Sequence, residues 1–317
     1  MQVFHQLDEI PHDFGPSIVS VGNFDGVHRA HRAVVDEIIG RAQGAGARSV
    51  VVTFAPHPAR ILRPDHAFKL LTPTPEKIRL LQATGVDAVL LLPFTRDLSL
   101  MTPHQFAHDI LKKHLQAREV HEGYNFHFGH KAAGNVEVLR ELGREMGFEV
   151  HDYPEMRLRG ERVSSTHIRK LLAEGRASRA RHLLGRPFSI LSTPGRGRGY
   201  GSKYTVPTIN LARYEELVPK DGVYITRTRV GAECFDSVTN VGNRPTFGAD
   251  SFAIETHLLN FHPLELKAET EVELHFLDRL RDEVKFPSVE ALKEQIGRDV
   301  GKAQRYLRRL GMRHSKK

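Results

Sequence analysis

Apolar residues recur along the first half of the chain in two alternating modes. Short continuous runs at residues 17–21, 49–54 and 87–92 read as strands buried on both faces. Stretches of helical spacing separate them. Within residues 33–42, Val34, Val35, Ile38, Ile39 and Ala42 fall on one face. Thr74-Pro75-Glu76 supplies a cap, a proline at the first helical position and an acid in the first turn, and Gly85 closes that helix. Thr102-Pro103 opens another, with Phe106, Ile110 and Leu111 turned inward. A short strand near residues 119–121, a helix over 135–146 stopped by Gly147, and a strand over 148–151 complete the series. Five strands alternating with helices predict an α/β doubly wound parallel sheet.

The rhythm changes after Leu184-Gly185-Arg186-Pro187. Residues 223–230 and 271–276 alternate at the period of strands, and 289–310 return to helical spacing. The change puts a joint between residues 185 and 186, giving domains 1–185 and 186–317.

A chain of 317 residues is long enough for two cores, and 40% hydrophobic with 26% charged residues is an ordinary globular balance. The single cysteine, Cys234, excludes an internal disulfide and a four-cysteine zinc site, and is expected in the core or on a strand. The first ten residues lack the pattern of a signal peptide, and runs such as 86–94 are too short to span a bilayer. A cytoplasmic protein is the expectation. The net charge of +8 suits polyanionic small substrates as well as nucleic acid or membrane surfaces. Much of the excess follows Asp299 and reads as a solvated helix face, and no aromatic-interleaved basic motif of a nucleic-acid module occurs.

Candidate chemistry starts at Gly22-Asn23-Phe24-Asp25-Gly26-Val27-His28-Arg29-Ala30-His31, between the first long apolar run and the first helix. A helix N-terminus beyond a parallel strand attracts phosphate through free N–H groups and the helix dipole. Gly22 and Gly26 permit the turn, and His28 and His31, three apart, share a face from which both can bond one oxyanion. His-x-x-His by itself is no zinc signature.

Thr53-Phe54-Ala55-Pro56-His57-Pro58 ends a strand and reads either as site residues or as a proline-stiffened turn. Gly123-Tyr124-Asn125-Phe126-His127-Phe128-Gly129 sets Asn125 among aromatics, as in a flavin or adenine pocket or an aromatic core loop. Ser164, Ser165 and Thr166 precede Arg169; capping accounts for one hydroxyl, whereas the cluster suits the phosphates of a nucleotide. The glycine-rich stretch 195–201 is a hairpin tip or a phosphate cradle. Thr208 and Asn210, two apart on a strand, offer oxygen ligands of the kind Mg²⁺ takes.

The glycine turn, Thr-Phe-x-Pro-His-Pro, Gly-x-Asn-Phe-x-Phe-Gly and Ser-Ser-Thr-x-x-Arg, in this order, resemble the motifs of the nucleotidylyltransferase half of bacterial bifunctional riboflavin kinase/FAD synthetases. Pro207-Thr208-x-Asn210, Gly222-Val223-Tyr224, Asn240-x-Gly242-x-Arg244-Pro245-Thr246-Phe247, Glu255-x-His257 and Arg281-x-Glu283-x-Lys285-Phe286 resemble the riboflavin kinase module. The chain departs from the pattern at Ala30, at Thr205 and Val206, and in Tyr200-Gly201-Ser202.

The resemblance implies a small antiparallel β-barrel with a C-terminal helix after the parallel sheet. It implies ATP, riboflavin and FMN as substrates and Mg²⁺ as cofactor. His28, His31 and Arg169 would act on the reacting phosphates, with Gly22, Phe24, Gly26, Ser164, Ser165 and Thr166 around ATP. Pro56, His57 and Asn125 would meet the flavin of FMN. In the second half Gly197, Gly199 and Gly201 would hold phosphate, Thr208 and Asn210 the metal, Arg281 and Glu283 the flavin, and Glu255 would be the general base. Partners would be small molecules, not nucleic acid or membrane. Transfer of a nucleotidyl group to another phosphorylated acceptor, or a non-catalytic nucleic-acid-binding role on the same fold, are the alternatives.

Overall fold

The computed structural model describes residues 1–195, 208–243, 252–262 and 266–314. Its first sheet has six strands, β1 (Gln2–Phe4), β2 (Ser17–Val21), β3 (Arg48–Ala55), β4 (Ala88–Pro93), β5 (Ala117–Gly123) and β6 (Glu149–Tyr153), in the order β1-β4-β3-β2-β5-β6. All its pairings are parallel. From β2 the chain winds outward through β3 and β4, then returns to the other side of β2 with β5 and β6. The end of β2 is therefore a topological switch point, where open α/β sheets receive ligands.

The connecting helices are α1 (Arg29–Ala45), α2 (Pro58–Leu62), α3 (Thr74–Gln82), α4 (Arg96–Leu100), α5 (Pro103–Gln105) and α6 (Val136–Met146). A reciprocal capping box between Thr102 and Gln105 starts α5, which widens over Phe106–His114, where Leu115 N donates to Ile110 O. α3 starts at Thr74 itself, and its preceding residue is Pro73. A small hairpin, β7 (Arg157–Leu158) and β8 (Glu161–Arg162), follows the sheet.

The strands are buried on both faces, as their continuous apolar runs require. Val19, Val50, Val52 and Leu90 pack toward Ile110, Leu111 and Leu139 on one side. Ile18, Val51 and Val89 pack toward Val35, Ile38 and Leu81 on the other. The sequence pattern predicts five strands, and the sixth is β1. Three residues are too few for a periodic signal, and β1 exists because Gln2↔Ala88 and Phe4↔Leu90 pair it onto the open edge of β4.

Helices α7 (Ser165–Ala173) and α8 (Ala177–Leu184) lead to the second sheet. It comprises β9 (Phe188–Ser192), β10 (Thr208–Asn210), β11 (Gly222–Val230), β12 (Glu233–Asn243), β13 (Phe252–Leu258) and β14 (Val272–Arg281), ordered β10-β13-β12-β11-β14-β9, all antiparallel. Its first and last strands meet: Pro194 bridges Leu211, Gly195 N donates to Asn210 O at 2.8 Å, and Ala212 N to Thr193 O at 2.8 Å. That closes the sheet into a small barrel and leaves no open edge there. The terminal helix, α9 (Val289–His314), lays Ala303 and Leu307 on Val223, Ile225, Val238 and Leu277. Cys234 is on strand β12 and exposed.

Contacts divide the chain into the compact units Met1–Ser165 and Thr166–Lys317. The division falls ahead of the joint expected at Gly185, so by contacts α8 and nearly all of α7 belong with the barrel.

Inside the barrel five hydroxyls, all fully buried, close a ring. Thr226 bonds Ser237 and Thr239 at 2.7 Å each, Thr228 bonds Ser237 at 2.7 Å and Thr256 at 3.1 Å, and Thr239 donates to Thr256 at 2.9 Å. Each hydroxyl can donate once and accept once, so the ring satisfies every member. Thr226→Val leaves two buried hydroxyls each short of a partner. The expected cost is about 1–3 kcal/mol, read as a lowered denaturant midpoint with unchanged slope; an unshifted midpoint contradicts it.

Candidate active sites

The turn after β2 is held by the Asp25 carboxylate and by a lysine beneath it. Gly22 approaches closely enough that a Cβ there would meet the Phe24 ring at 3.2 Å, and Gly26 has φ +87°, a conformation side chains avoid. Phe24 and Val27 adopt positive φ as well, at 47° and 37°. Such strain persists only where the surroundings over-determine it. Here they do: both Asp25 carboxylate oxygens accept backbone N–H groups, from Leu71 at 3.1 Å and Thr72 at 3.0 Å, and Ser165 Oγ donates to Asp25 O at 2.8 Å.

Beneath the turn lies Lys77 of α3. Its ammonium donates to Asn23 O at 3.2 Å, Thr53 Oγ1 at 2.9 Å and Phe54 O at 3.1 Å, and Thr53 Oγ1 donates to Asn23 O at 3.1 Å. Burial brings the Lys77 pKa down to about 8, against a smaller opposing pull from Asp25. Sequence reading passes over Lys77 because one lysine in an amphipathic helix carries no signal of burial. Its folded pKa lies below the unfolded 10.5, so the unfolded chain binds more protons between the two values. The stability of the wild type relative to Lys77→Met is therefore expected to rise from about pH 8 to 10.5 and to stay flat below about 8. Paired unfolding curves across that range check it, and a difference that falls as pH rises contradicts it.

His28 caps α1: it is extended, 4% exposed, and its Nδ1 accepts the His31 amide at 3.3 Å. That bond assigns the neutral ring's proton to Nε2. The expected shared face of His28 and His31 is realised as a stack, with centroids 3.6 Å apart and planes at 15°, and Phe24 lies 4.9 Å from the His31 ring. Two imidazoles and the positive end of the α1 dipole thus converge at the switch point. At the neighbouring strand, Glu122 accepts the Val21 amide, and complete burial pushes its carboxyl well above the usual range.

Two further sequence candidates border the same end of the sheet. His57, after β3, caps α2 through Ala59 N at 3.1 Å and stacks on Phe68 at 4.4 Å, with Pro56 exposed beside it. Asn125 is exposed on the turn after β5, while Phe126 and Phe128 stack behind it at 5.3 Å. Ser164 and Ser165 stand at the start of α7, with Thr166 and Arg169 on its first turns.

On the barrel the register assembles the second site. Thr208 and Asn210 share one face of β10, while Ile209 between them is buried. Asn210 pairs with Glu255, and Glu255 pairs with Asn240, so three polar side chains stand abreast across β10, β13 and β12. Asn240 Nδ2 donates to Glu283 Oε1 at 3.3 Å, which extends the row to the loop after β14. This face is opposite the hydroxyl ring, since Thr256 and Thr239 adjoin Glu255 and Asn240 along their strands. His257 pairs with Thr208 on the same face, and burial lowers its pKa. Arg281 is committed to the terminal helix: its Nε donates to Asp299 Oδ2 at 2.9 Å, and it lies 5.6 Å over Phe286. Asn240 is the residue whose place in this row only strand register reveals. Gly197, Gly199 and Gly201 lie outside the described residues, as do Thr205, Val206 and 244–247.

Comparison with known proteins gives both halves a match. A family model described as FAD synthetase covers residues 10–167, and one described as riboflavin kinase covers 184–307. A bifunctional riboflavin kinase/FMN adenylyltransferase of Pseudomonas fluorescens is 33% identical over 311 residues, covering 96% of this chain and 97% of the relative. The protein so described in Escherichia coli K12 is 32% identical over 296 residues, 93% of either chain. A crystal structure described as a macrolide-efflux protein of Streptococcus pneumoniae superposes with TM-score 0.86 at 26% identity, over 95% of this chain and 98% of that one. Among the described residues no helix is long and apolar enough to cross a membrane.

Proposed function

The chain belongs to the bifunctional riboflavin kinase/FMN adenylyltransferase family, and from that premise we propose which residues perform each of its two reactions. It phosphorylates riboflavin to FMN and transfers the adenylyl group of ATP to FMN, giving FAD and pyrophosphate. The adenylyltransferase is assigned to residues 1–185 and the kinase to 186–317, in keeping with the matched ranges 10–167 and 184–307. The observation that carries the assignment is the stacked His28–His31 pair capping α1 at the switch point.

In adenylyl transfer the nucleophile is the FMN phosphate, whose second ionisation lies near pH 6, so it is already anionic and needs no base. Its oxygen bonds to the α-phosphorus as the bond to pyrophosphate breaks. The difficulty is negative charge, which grows on the α-phosphoryl and the leaving group. His28 Nε2–H, His31 and the α1 N-terminus supply preorganised donors and positive potential for it. Ser164, Ser165, Thr166 and Arg169 would hold the outer phosphates. Pro56, His57 and Asn125 would border the flavin.

In the kinase the nucleophile is a ribityl hydroxyl, a poor one near neutral pH. Glu255 would take its proton while the hydroxyl oxygen bonds to the γ-phosphorus and ADP leaves. Asn240 and Glu283 hold the neighbouring end of the row and would orient the alcohol. The oxygen donors of Thr208 and Asn210, beside the Glu255 carboxylate, form a hard set that fits Mg²⁺ carried in by ATP. Bound there, the ion would neutralise phosphate charge. ATP and the free vitamin are small cytoplasmic molecules, which makes the cytoplasm the proposed place of work.

Incubation with riboflavin and Mg–ATP, with products resolved by chromatography, tests the assignment. FMN should appear first and FAD after it, and supplied FMN should yield FAD directly. Absence of either product from folded protein overturns it.

A further inference from the structure

We infer that Glu119, His121 and His151 form a binding site for a divalent transition cation of the zinc type, separate from the Mg–ATP sites. Glu119 and His121 are two apart on β5 and share a face, and the parallel register sets His121 beside His151 on the edge strand β6. One ligand atom from each lies within 4.8 Å of the others. His121 Nε2 is 2.9 Å and His151 Nε2 3.5 Å from the same oxygen, Glu119 Oε2. A tetrahedral ion bound at 2.0–2.2 Å separates its ligand atoms by about 3.3–3.5 Å, so small side-chain shifts admit one.

The surroundings are those of a ligand set. His151 Nε2 is buried without a hydrogen-bond partner, yet two carboxylates, Glu119 and Glu149, each stand 3.5 Å from it. A cation between them gives that nitrogen a partner, and the exposed Glu149 can supply a fourth ligand. His121 Nδ1 is 2.6 Å from Tyr153 Oη, the outer hydrogen bond that orients a metal-bound imidazole. The Tyr153 hydroxyl can accept from Nδ1–H. With the proton on Nδ1, the Nε2 lone pair faces the site, and loading needs only a tautomer change.

Two imidazoles and one carboxylate suit Zn²⁺ and its neighbours, whereas Mg²⁺ asks for oxygen ligands. The site is on the α1 side of the sheet, because Arg41 near the end of α1 reaches Glu119 at 3.4 Å. Twelve helical rises from Arg29 to Arg41, about 18 Å, part it from the His28 cap. Arg41 is half-exposed and bonds Glu37 at 3.1 Å too, so it can yield Glu119 to an ion.

Full-length protein freed of metal with a chelator is titrated with Zn²⁺ by calorimetry and with Co²⁺ by its visible absorption, in excess Mg²⁺. The expectation is one tight site per chain, a Co²⁺ spectrum of tetrahedral type, and a Tm raised by Zn²⁺. His151→Ala should abolish that site, and Tyr153→Phe should weaken it ~10–100-fold, with FAD formation from supplied FMN and circular dichroism confirming that both variants fold. Wild-type protein that binds no more Zn²⁺ or Co²⁺ than His151→Ala overturns the inference, as does a site that Mg²⁺ displaces.

Discussion

His28→Ala is expected to lower FAD formation from supplied FMN by ~10²–10³-fold while FMN formation from riboflavin persists. The loss is large because the imidazole is preorganised. Its Nδ1 is engaged by the His31 amide, its ring is stacked at 3.6 Å, and it is 4% exposed, so Nε2–H meets developing charge without reorganising. The same residue caps α1, and removing a cap costs about 1 kcal/mol. His28→Asn separates the two roles, since asparagine caps a helix well but cannot reproduce the imidazole donor. It should retain wild-type stability and still lose FAD formation. Measuring both products on both variants decides the matter: FAD formation near the wild-type rate in His28→Asn sinks the assignment.

Glu255→Gln is expected to produce the mirror image, FMN formation down by ~10²–10⁴-fold with adenylylation of supplied FMN retained. Glutamine preserves the side-chain shape and the row formed with Asn210 and Asn240, and removes only the capacity to take a proton. The KM for riboflavin should change little while kcat falls, because the interaction lost is made in the transition state. A raised KM with kcat intact would make Glu255 a binding residue and refute its role as base. Because the two sites stand on two different sheets, equal loss of both activities in either variant would mean misfolding, and circular dichroism distinguishes that outcome.

Much of this is legible in the sequence. The glycine turn was readable because it combines local signals: an apolar run, residues tolerant of sharp turns, and a helix whose apolar face recurs at 3.6-residue spacing. Thr208 and Asn210 were readable for the same reason, since alternation along one strand fixes which residues share a face. Lys77 was not, because its importance comes from three acceptors supplied by Asn23, Thr53 and Phe54 on two other segments. β1 was too short to carry a period and is a strand only by pairing with β4. The partner of Arg281 is likewise set by the fold, which joins its Nε to Asp299 of α9.

The sequence by itself determined the parallel sheet and the local turns and caps, because these follow from spacing between near neighbours, while the barrel and its place after the sheet were implied by the resemblance of its motifs to a known family. Only the tertiary structure decided which distant groups became partners: Asn240 beside Glu255, five hydroxyls closed into a ring, and His151 set across from His121 and Glu119. Strand register and sheet order bring such groups together, and which strand lies beside which is not written in the spacing of residues along either one.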